Sequence, residues 1–213
     1  MKKSKKPLVK LNIGCGIIPA GDGFINVDNY FTLEDLKGKQ GIYQNAVVPK
    51  DCKFVKGDMC NLPFKDNYAD YIETIDVIEH IGFRQSLKAF SEMYRVLKPG
   101  GKLCIMTEDF NWLAQKWVDT IKDKPLDVKQ YLNLMEMIFG NQRGAQGDNG
   151  EYHRQCFTPD VLANWLTSAG FKPKNVKVRV YKYMSTERPP ILTQTPVPGG
   201  TWRSDILWAE AIK

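Results

Sequence analysis

The sequence lacks several features that define large classes of proteins. No run of apolar residues approaches the ~18 residues that a membrane-spanning helix needs. The basic start, MKKSKKPLVK, is not followed by the apolar segment and small-residue cleavage site of a secretory signal. The five cysteines form no C-x-x-C pair, which argues against a zinc knuckle or a disulfide scaffold. We therefore expect a cytoplasmic protein with reduced thiols and no membrane span.

A large excess of one sign of charge is also absent, since the formal net charge is +6 over 213 residues. Part of it lies in residues 1–7, which we expect to be a disordered basic tail. Another part lies between Lys172 and Arg188. This charge leaves a nucleic-acid partner open without requiring one. No composition shift marks a second domain, so we expect a single domain over residues 1–213, with its oligomeric state undetermined.

Short apolar runs alternate with amphipathic stretches along the chain. Apolar residues at three- and four-residue spacing predict helices near residues 87–97, 110–121, 128–139 and 158–170. Seven runs are typical of strands: LVKLNI, FINVD, KFVKGD, ADYIETIDVI, GKLCIMT, VKVRVYKY and ILWAEAI. Of these, VKVRVYKY alternates strictly, which predicts one covered face and one basic, solvated face. The alternation of strands with helices predicts an α/β fold, with a doubly wound, mostly parallel sheet and helices on both faces. The linker before the last run is short and proline-rich, so we expect an antiparallel last strand. Residues 111–154 suggest a helical, then glycine-rich, insertion or lid.

Small and acidic residues follow the first four predicted strands. Gly14 and Gly16 come directly after the first strand, and Asp28 ends the second. Asp58 and Asp76 come at the ends of the third and fourth. Glycine lets a ligand touch the backbone, and an acid at a strand tip can accept both ribose hydroxyls of a nucleoside. A tight turn with a surface aspartate would explain the first motif equally well, but three acids at successive strand tips favour a nucleoside site.

The motifs LNIGCG, INVD, GDMCNLPF, DVIEHI and RVLKPGGKL, taken in order, resemble class I S-adenosylmethionine-dependent methyltransferases. The methyltransferase type 11 group is the most similar, from about residue 8 to residue 107. The resemblance implies a Rossmann-like fold, S-adenosyl-L-methionine as cofactor and methyl transfer as the reaction. It also implies these contacts: Gly14, Cys15 and Gly16 with the methionine part, Asp28 with the ribose, Asp58 and Met59 with the adenine, and Asp76 near the sulfonium.

The chain departs from the family pattern after the first strand. Asn12 stands where an acid is usual, and Ile18 stands where a third glycine is expected. The gap to Asp28 is short, which predicts a loop in place of the first helix. Without a helix N-terminus to hold a pyrophosphate, a dinucleotide is a poor fit, and an NAD-type dehydrogenase is disfavoured.

The chain has two histidines, and both fall in segments suited to the acceptor side of such a site. His80 follows Glu79 after the fourth strand, and His153 lies in a glycine-rich polar segment. We expect His80, His153 and Glu79 to be catalytic, because an oxygen acceptor must lose a proton. With Asp76, these residues also resemble the metal site of small-RNA terminal 2′-O-methyltransferases. Metal-free relatives carry the same Glu-His pair, so no metal is expected.

The acceptor is the least determined part. The resemblance favours O-methylation of a small-molecule or glycan-type acceptor, since that group often acts on such molecules. An RNA 2′-O-methyltransferase is the first alternative, because Lys177, Arg179 and Lys182 form a basic face. A non-catalytic nucleoside-binding protein of the same fold is the second. The five tryptophans fall into two groups. We expect Trp112 and Trp202, in connecting segments, to line an acceptor pocket, and we expect the core to contain Trp117, Trp165 and Trp208.

Overall fold

A computed structural model describes most of the chain. The described residues are 7–16, 19–38, 48–122, 125, 127–140, 152–183, 190 and 204–213. Residues 1–6 of the predicted tail at 1–7, and also Trp202, therefore lie outside the described residues. Within these ranges, no helix combines the length and the apolar character that crossing a membrane requires.

The described strands form one seven-stranded sheet in the order β3-β2-β1-β4-β5-β7-β6. Pairs among β1 to β5 are parallel, and β7 runs antiparallel to both β5 and β6. The mostly parallel sheet with an antiparallel last strand is thus confirmed. The strand bounds are β1 Lys10–Ile13, β2 Phe24–Asp28, β3 Lys53–Lys56, β4 Ala69–Ile75, β5 Leu97–Glu108, β6 Val176–Tyr181 and β7 Ile206–Ile212.

The four predicted helices are present, and one more was not predicted. Their N-terminal caps follow the sequence, since the side chains of Asp109, Asp127 and Thr158 each accept a hydrogen bond from a first-turn amide. The helix bounds are α1 Leu33–Gly38, α2 Phe83–Val96, α3 Phe110–Ile121, α4 Val128–Phe139 and α5 Pro159–Ser168. The short α1 was missed, and single 3₁₀ turns span Ile78–His80 and Pro173–Asn175.

The main core lies between the sheet and two helices. Helices α2 and α5 pack on one sheet face, where Phe90 stacks on Trp165 with ring centroids 6.5 Å apart. A second cluster on the opposite face contains Tyr71, Cys104 and Trp208. Burial of both faces explains why β7 is a nearly continuous apolar run.

Helices α3 and α4 bury much less than their apolar stripes led us to expect. Leu113 and Leu134 are buried, but Val118 is 52% exposed and Val128 is 74% exposed. Trp112 lies in α3 and contacts Tyr183, so its expected place in a connecting segment was wrong. The apolar stripe of each helix therefore predicted where the helix lies, but not how much of its apolar face the rest of the protein covers.

Candidate functional site

The carboxyl ends of β1 to β4 meet at one edge of the sheet and position the predicted site. The strand order places β1 between β2 and β4, so the chain leaves β1 toward one side and enters β4 on the other. Ligands of open α/β sheets bind in the crevice at such a point. We call Gly14, Gly16, Asp28 and Asp58 the glycine side, and Asp76, Glu79, His80 and His153 the histidine side.

The loop after β1 has two glycines that serve different purposes. Both adopt positive φ, +72° at Gly14 and +52° at Gly16. A Cβ atom on Gly14 would lie 2.4 Å from Cγ1 of Val77, whereas one on Gly16 would meet nothing within 4 Å. Gly14 is therefore required by packing, and Gly16 borders open space where a ligand can approach the backbone.

Asp28 connects the glycine loop to the segment after β2. Its Oδ2 accepts a hydrogen bond from the Gly16 amide at 2.8 Å, and its Oδ1 accepts from the amides of Tyr30 and Phe31. Asp28 is buried, so these amides hold a charged carboxylate in a fixed place. The Gly14 amide donates to the Val27 carbonyl at 2.7 Å, which draws the loop against β2.

The segment after β3 lies beside Asp28, because the Gly57 amide donates to the Asp28 carbonyl at 2.9 Å. Asp58 is exposed and its Oδ1 accepts from the Cys60 amide, while Met59 is buried. Cys15 is also buried, and desolvation raises the pKa of its thiol well above the ordinary value. The predicted residues of the glycine side thus surround one end of the crevice.

Helix α2 anchors the residues that follow Asp58 and Met59. The Leu62 amide donates to Oε2 of Glu92 at 2.9 Å, and the Arg95 guanidinium donates to the carbonyl of Phe64 at 2.8 Å. Glu92 and Arg95 also form an ion pair at 2.7 Å. The hydrogen bonds from Arg95 lower the pKa of Glu92, and its charge acts in the same direction.

Strand β4 ends earlier than predicted, and this changes the geometry of the histidine side. The strand stops at Ile75, and Asp76 adopts a positive φ of +51°. Only Ile78–His80 form a 3₁₀ turn, so Asp76 lies outside the turn that carries Glu79 and His80. Asp76 is exposed at its surface, but desolvation by the protein around its carboxyl raises its pKa to about 6.

Glu79, His80 and His153 are brought together, as the sequence predicted. Oε1 of Glu79 lies 4.0 Å from Nε2 of His80, and Thr107 donates to Oε2 of Glu79 at 2.9 Å. The two imidazole rings meet edge to face with centroids 4.9 Å apart. Burial raises the pKa of Glu79, and the Asp76 carboxylate acts in the same direction. Burial lowers the pKa of His153 to about 4, and the charge of His80 adds to this.

The segment that carries His153 is tied to the 3₁₀ turn rather than separate from it. The Arg154 amide donates to the Glu79 carbonyl at 2.8 Å. The Gln155 side-chain amide donates to the carbonyls of Ile78 and Ile81, each at 3.0 Å, and hydrogen-bonds to Ser86. Most of the predicted glycine-rich lid, residues 141–151, lies outside the described residues.

Sequence reasoning missed Thr107 and Gln155. Thr107 ends a predicted strand and Gln155 follows His153, but neither position carries a motif that would distinguish it from a surface residue. Their roles depend on contacts that join distant segments, 28 residues apart for Thr107 and Glu79 and 69 apart for Gln155 and Ser86.

Comparisons with known proteins identify a family that this chain is similar to. Residues 11–105 match a family model described as a methyltransferase domain. Norajmaline N-methyltransferase of Rauvolfia serpentina is 34% identical over 113 residues, covering 49% of this chain and 37% of that protein. The human protein named "Probable tRNA methyltransferase 9B" is 30% identical over 112 residues, covering 52% of this chain and 23% of that protein. The chain therefore spans well under half the length of these two curated relatives.

Solved structures share the fold over nearly the whole chain. A S-adenosylmethionine-dependent methyltransferase from Methanosarcina mazei superposes with a TM-score of 0.58 at 18% identity. The match covers 98% of this chain and 93% of that one. At this identity the likeness concerns the fold, and the family motifs come from the sequence match over residues 11–105.

Proposed function

Because the chain belongs to the class I S-adenosylmethionine-dependent methyltransferases, we propose that it methylates a hydroxyl oxygen of a small-molecule or glycan-type acceptor. The observation that carries the proposal is the group of two imidazoles and a carboxyl on the histidine side. A hydroxyl must give up a proton during methylation, and this group offers proton acceptors. A neutral amine has a free electron pair and needs no such group.

The glycine side fits the family's cofactor. Open space beside Gly16 leaves room for the methionine part against the backbone, and Asp28 is fixed at the strand tip where a ribose would be held. Asp58 and Met59 lie on the segment that Gly57 joins to Asp28, where they would flank the adenine. S-adenosyl-L-methionine supplies a methyl group on a positively charged sulfur.

The chain's own residues contribute mainly by position. The rigid loop of Gly14, Cys15 and Gly16 fixes one end of the crevice, while Asp76 adds negative charge next to the turn of Glu79 and His80. That charge favours a sulfonium nearby. His153 and Glu79 would accept the acceptor's proton, and alignment of the reacting groups would supply most of the acceleration.

The charge of the histidine side favours a small acceptor over a nucleic acid. Asp76 and Glu108 lie close enough to Glu79 to raise the pKa of its carboxyl, so these acidic neighbours disfavour an anionic phosphate there. The exposed basic residues Lys177 and Arg179 lie on β6, three strand spacings or about 14 Å from β4.

The first test is calorimetric titration of the protein with S-adenosylhomocysteine, using NAD as the control ligand. We expect S-adenosylhomocysteine alone to bind, and Asp28→Asn to weaken it by about 1–3 kcal/mol, because the amide cannot replace a charged acceptor. Asp22→Asn is the control, since Asp22 is an exposed aspartate that is not among the residues placed around the ribose. Equal affinity in the two variants would contradict the placement of the ribose.

The second test is methyl transfer to a panel of paired hydroxyl and amine acceptors. We expect His153→Ala to leave S-adenosylhomocysteine affinity unchanged and to lower turnover on hydroxyl acceptors. If this variant instead lost cofactor binding, the placement of His153 on the acceptor side would be wrong. Turnover confined to amines would contradict the proposed O-methylation, and no turnover with intact cofactor binding would favour the non-catalytic alternative.

An RNA 2′-O-methyltransferase is the second candidate, and the exposed side chains of Lys177 and Arg179 are the observation that favours it. Lys182 adds little, because it binds the Asp205 carboxylate at 2.9 Å. If RNA is the acceptor, binding should fall steeply with salt, and replacing Lys177 and Arg179 by alanine should reduce that dependence.

A further inference from the structure

The three side chains of Glu79, His80 and His153 are arranged as a set of ligand atoms. One oxygen or nitrogen from each lies within 4.8 Å of the others. Atoms bound to the same divalent cation are typically about 3–4 Å apart, since each bond is about 2.0–2.2 Å long. Moving these atoms into coordination distance therefore requires side-chain adjustments of about 1 Å.

The hydrogen bond of His80 fixes which ring nitrogen faces the group. Nδ1 lies 3.2 Å from the Tyr152 carbonyl oxygen, which can only accept, so Nδ1 carries the proton. In that tautomer the electron pair is on Nε2, the atom that faces Oε1 of Glu79. A carbonyl that orients a histidine in this way is the usual outer contact of a metal-binding imidazole.

Glu79 is held in a comparable manner. Thr107 donates to Oε2, which directs Oε1 toward His80, and the Glu79 carbonyl accepts from the amide of Arg154. His153 is placed by a hydrogen bond from its own amide to the Phe139 carbonyl at 3.0 Å. The side chains of Glu79 and His80 are thus positioned by contacts outside the group, and the backbone of His153 is fixed beside them, before any ligand arrives.

We propose that Glu79, His80 and His153 bind one first-row divalent cation of the Mn²⁺, Co²⁺ or Zn²⁺ type. Two imidazoles disfavour Mg²⁺ and Ca²⁺, which prefer oxygen ligands. Three protein ligands leave further coordination positions open. One open position would take the acceptor's hydroxyl in place of a direct hydrogen bond to His153, a role that rests on the proposed function.

The test is a titration of the full chain with Co²⁺ alone, without cofactor or acceptor, followed by visible absorption. Co²⁺ distinguishes nitrogen and oxygen ligands from thiolates, and this matters because the five free cysteines are alternative ligands. The ring protons of the two histidines, the only two in the sequence, give a second readout by nuclear magnetic resonance. Both should shift on Co²⁺ binding, and excess Zn²⁺ should displace the Co²⁺.

Variants locate the site. We expect one saturable Co²⁺ per chain, weakened at least about tenfold in His153→Gln and in Glu79→Gln. Cys156→Ser is the matched control, because this thiol lies near Glu79 without belonging to the group, and its affinity should not change. His80→Gln replaces Glu79→Gln if circular dichroism shows that the latter does not fold.

Three results would overturn the proposal: no saturable binding, equal binding in His153→Gln, or binding lost in Cys156→Ser. Failure here is separable from failure of the proposed function, because S-adenosylhomocysteine binding and methyl transfer are measured with and without a chelator. If cofactor binding and turnover persist in chelator, the proposed methyltransferase activity stands and the proposed role of the cation in it is wrong.

Discussion

The glycine side and the histidine side of the site are held by different kinds of contact. On the glycine side, backbone amides determine the geometry, such as those of Gly14, Gly16 and Gly57 with Val27 and Asp28. On the histidine side, side chains from distant segments do so, with Thr107 and Gln155 fixing the turn of Glu79 and His80. A backbone framework recurs wherever the same strands pair, whereas a side-chain framework can change with single substitutions. We infer that the first side determines the cofactor and the second determines the acceptor.

The largest expected effect is the loss of stability when a methyl group is added to Gly14, on the glycine side. Gly14→Ala should lower the free energy of unfolding by about 3 kcal/mol, because the residue combines positive φ with a contact at 2.4 Å from Val77. Gly16→Ala should cost only about 1 kcal/mol, because the added Cβ meets open space.

Chemical denaturation measures both variants. Val77→Ala in the Gly14→Ala background should recover part of the loss, since it removes the close contact. If the Gly14 and Gly16 variants lose equal stability, the packing role assigned to Gly14 is wrong. If Gly16→Ala also keeps full S-adenosylhomocysteine affinity, the open space beside it does not hold the ligand.

An intermediate effect is expected from the histidine side. Gln155→Leu removes hydrogen bonds to the carbonyls of Ile78 and Ile81, and should cost about 2 kcal/mol of stability. Because these bonds hold only the acceptor end, S-adenosylhomocysteine affinity should stay within about twofold. Gln115→Leu, on the exposed surface of α3, is the matched control. A loss of cofactor affinity in Gln155→Leu would show that the two sides are not independent.

The smallest effect concerns the ion pair that anchors the segment after Asp58. The folded state lowers the pKa of Glu92 below its ordinary value of 4.5, so the pair stabilises the protein above that pH. The stabilisation is lost as pH falls through the lowered pKa. Glu92→Gln should therefore cost about 1 kcal/mol at neutral pH, with the difference shrinking in acid.

Denaturation curves between pH 3 and 7, a range of about four units chosen to span that titration, measure this change. Asp66→Asn is the control, because Asp66 also contacts Arg95 but is 71% exposed. A constant difference between wild type and Glu92→Gln over the whole range would contradict the role of the ion pair.

Local sequence patterns predicted the sheet well, and they placed the residues of the glycine side at strand ends. Apolar runs located the strands, and the positions of Gly14, Asp28 and Asp58 at strand ends determined the site, because strand ends are local features. The end of β4 was misjudged, since the apolar residues of DVI continue the pattern while the positive φ of Asp76 interrupts it. The apolar stripes of α3 and α4 also predicted more burial than Val118 and Val128 show.

Contacts between distant segments were beyond such reasoning. Gln155 and Ser86, or Thr107 and Glu79, meet only because the folded sheet places their segments side by side. The two histidines were an exception, since chemical type alone suggested a shared site. Their rings do meet at 4.9 Å, but no local pattern predicted which atoms would face each other.

The position of β7 has a consequence for the order of folding during synthesis. In the sheet, β6 pairs with β7 and not with β5, although β6 precedes β7 in the chain. Strand β6 can therefore pair only after β7, its partner in the sheet, has been synthesised. Strands β1 to β5 come earlier in the chain and pair with one another, so we expect them to assemble first. The strands that form the crevice edge, β1 to β4, are thus synthesised well before β7, the strand that joins β6 to the sheet.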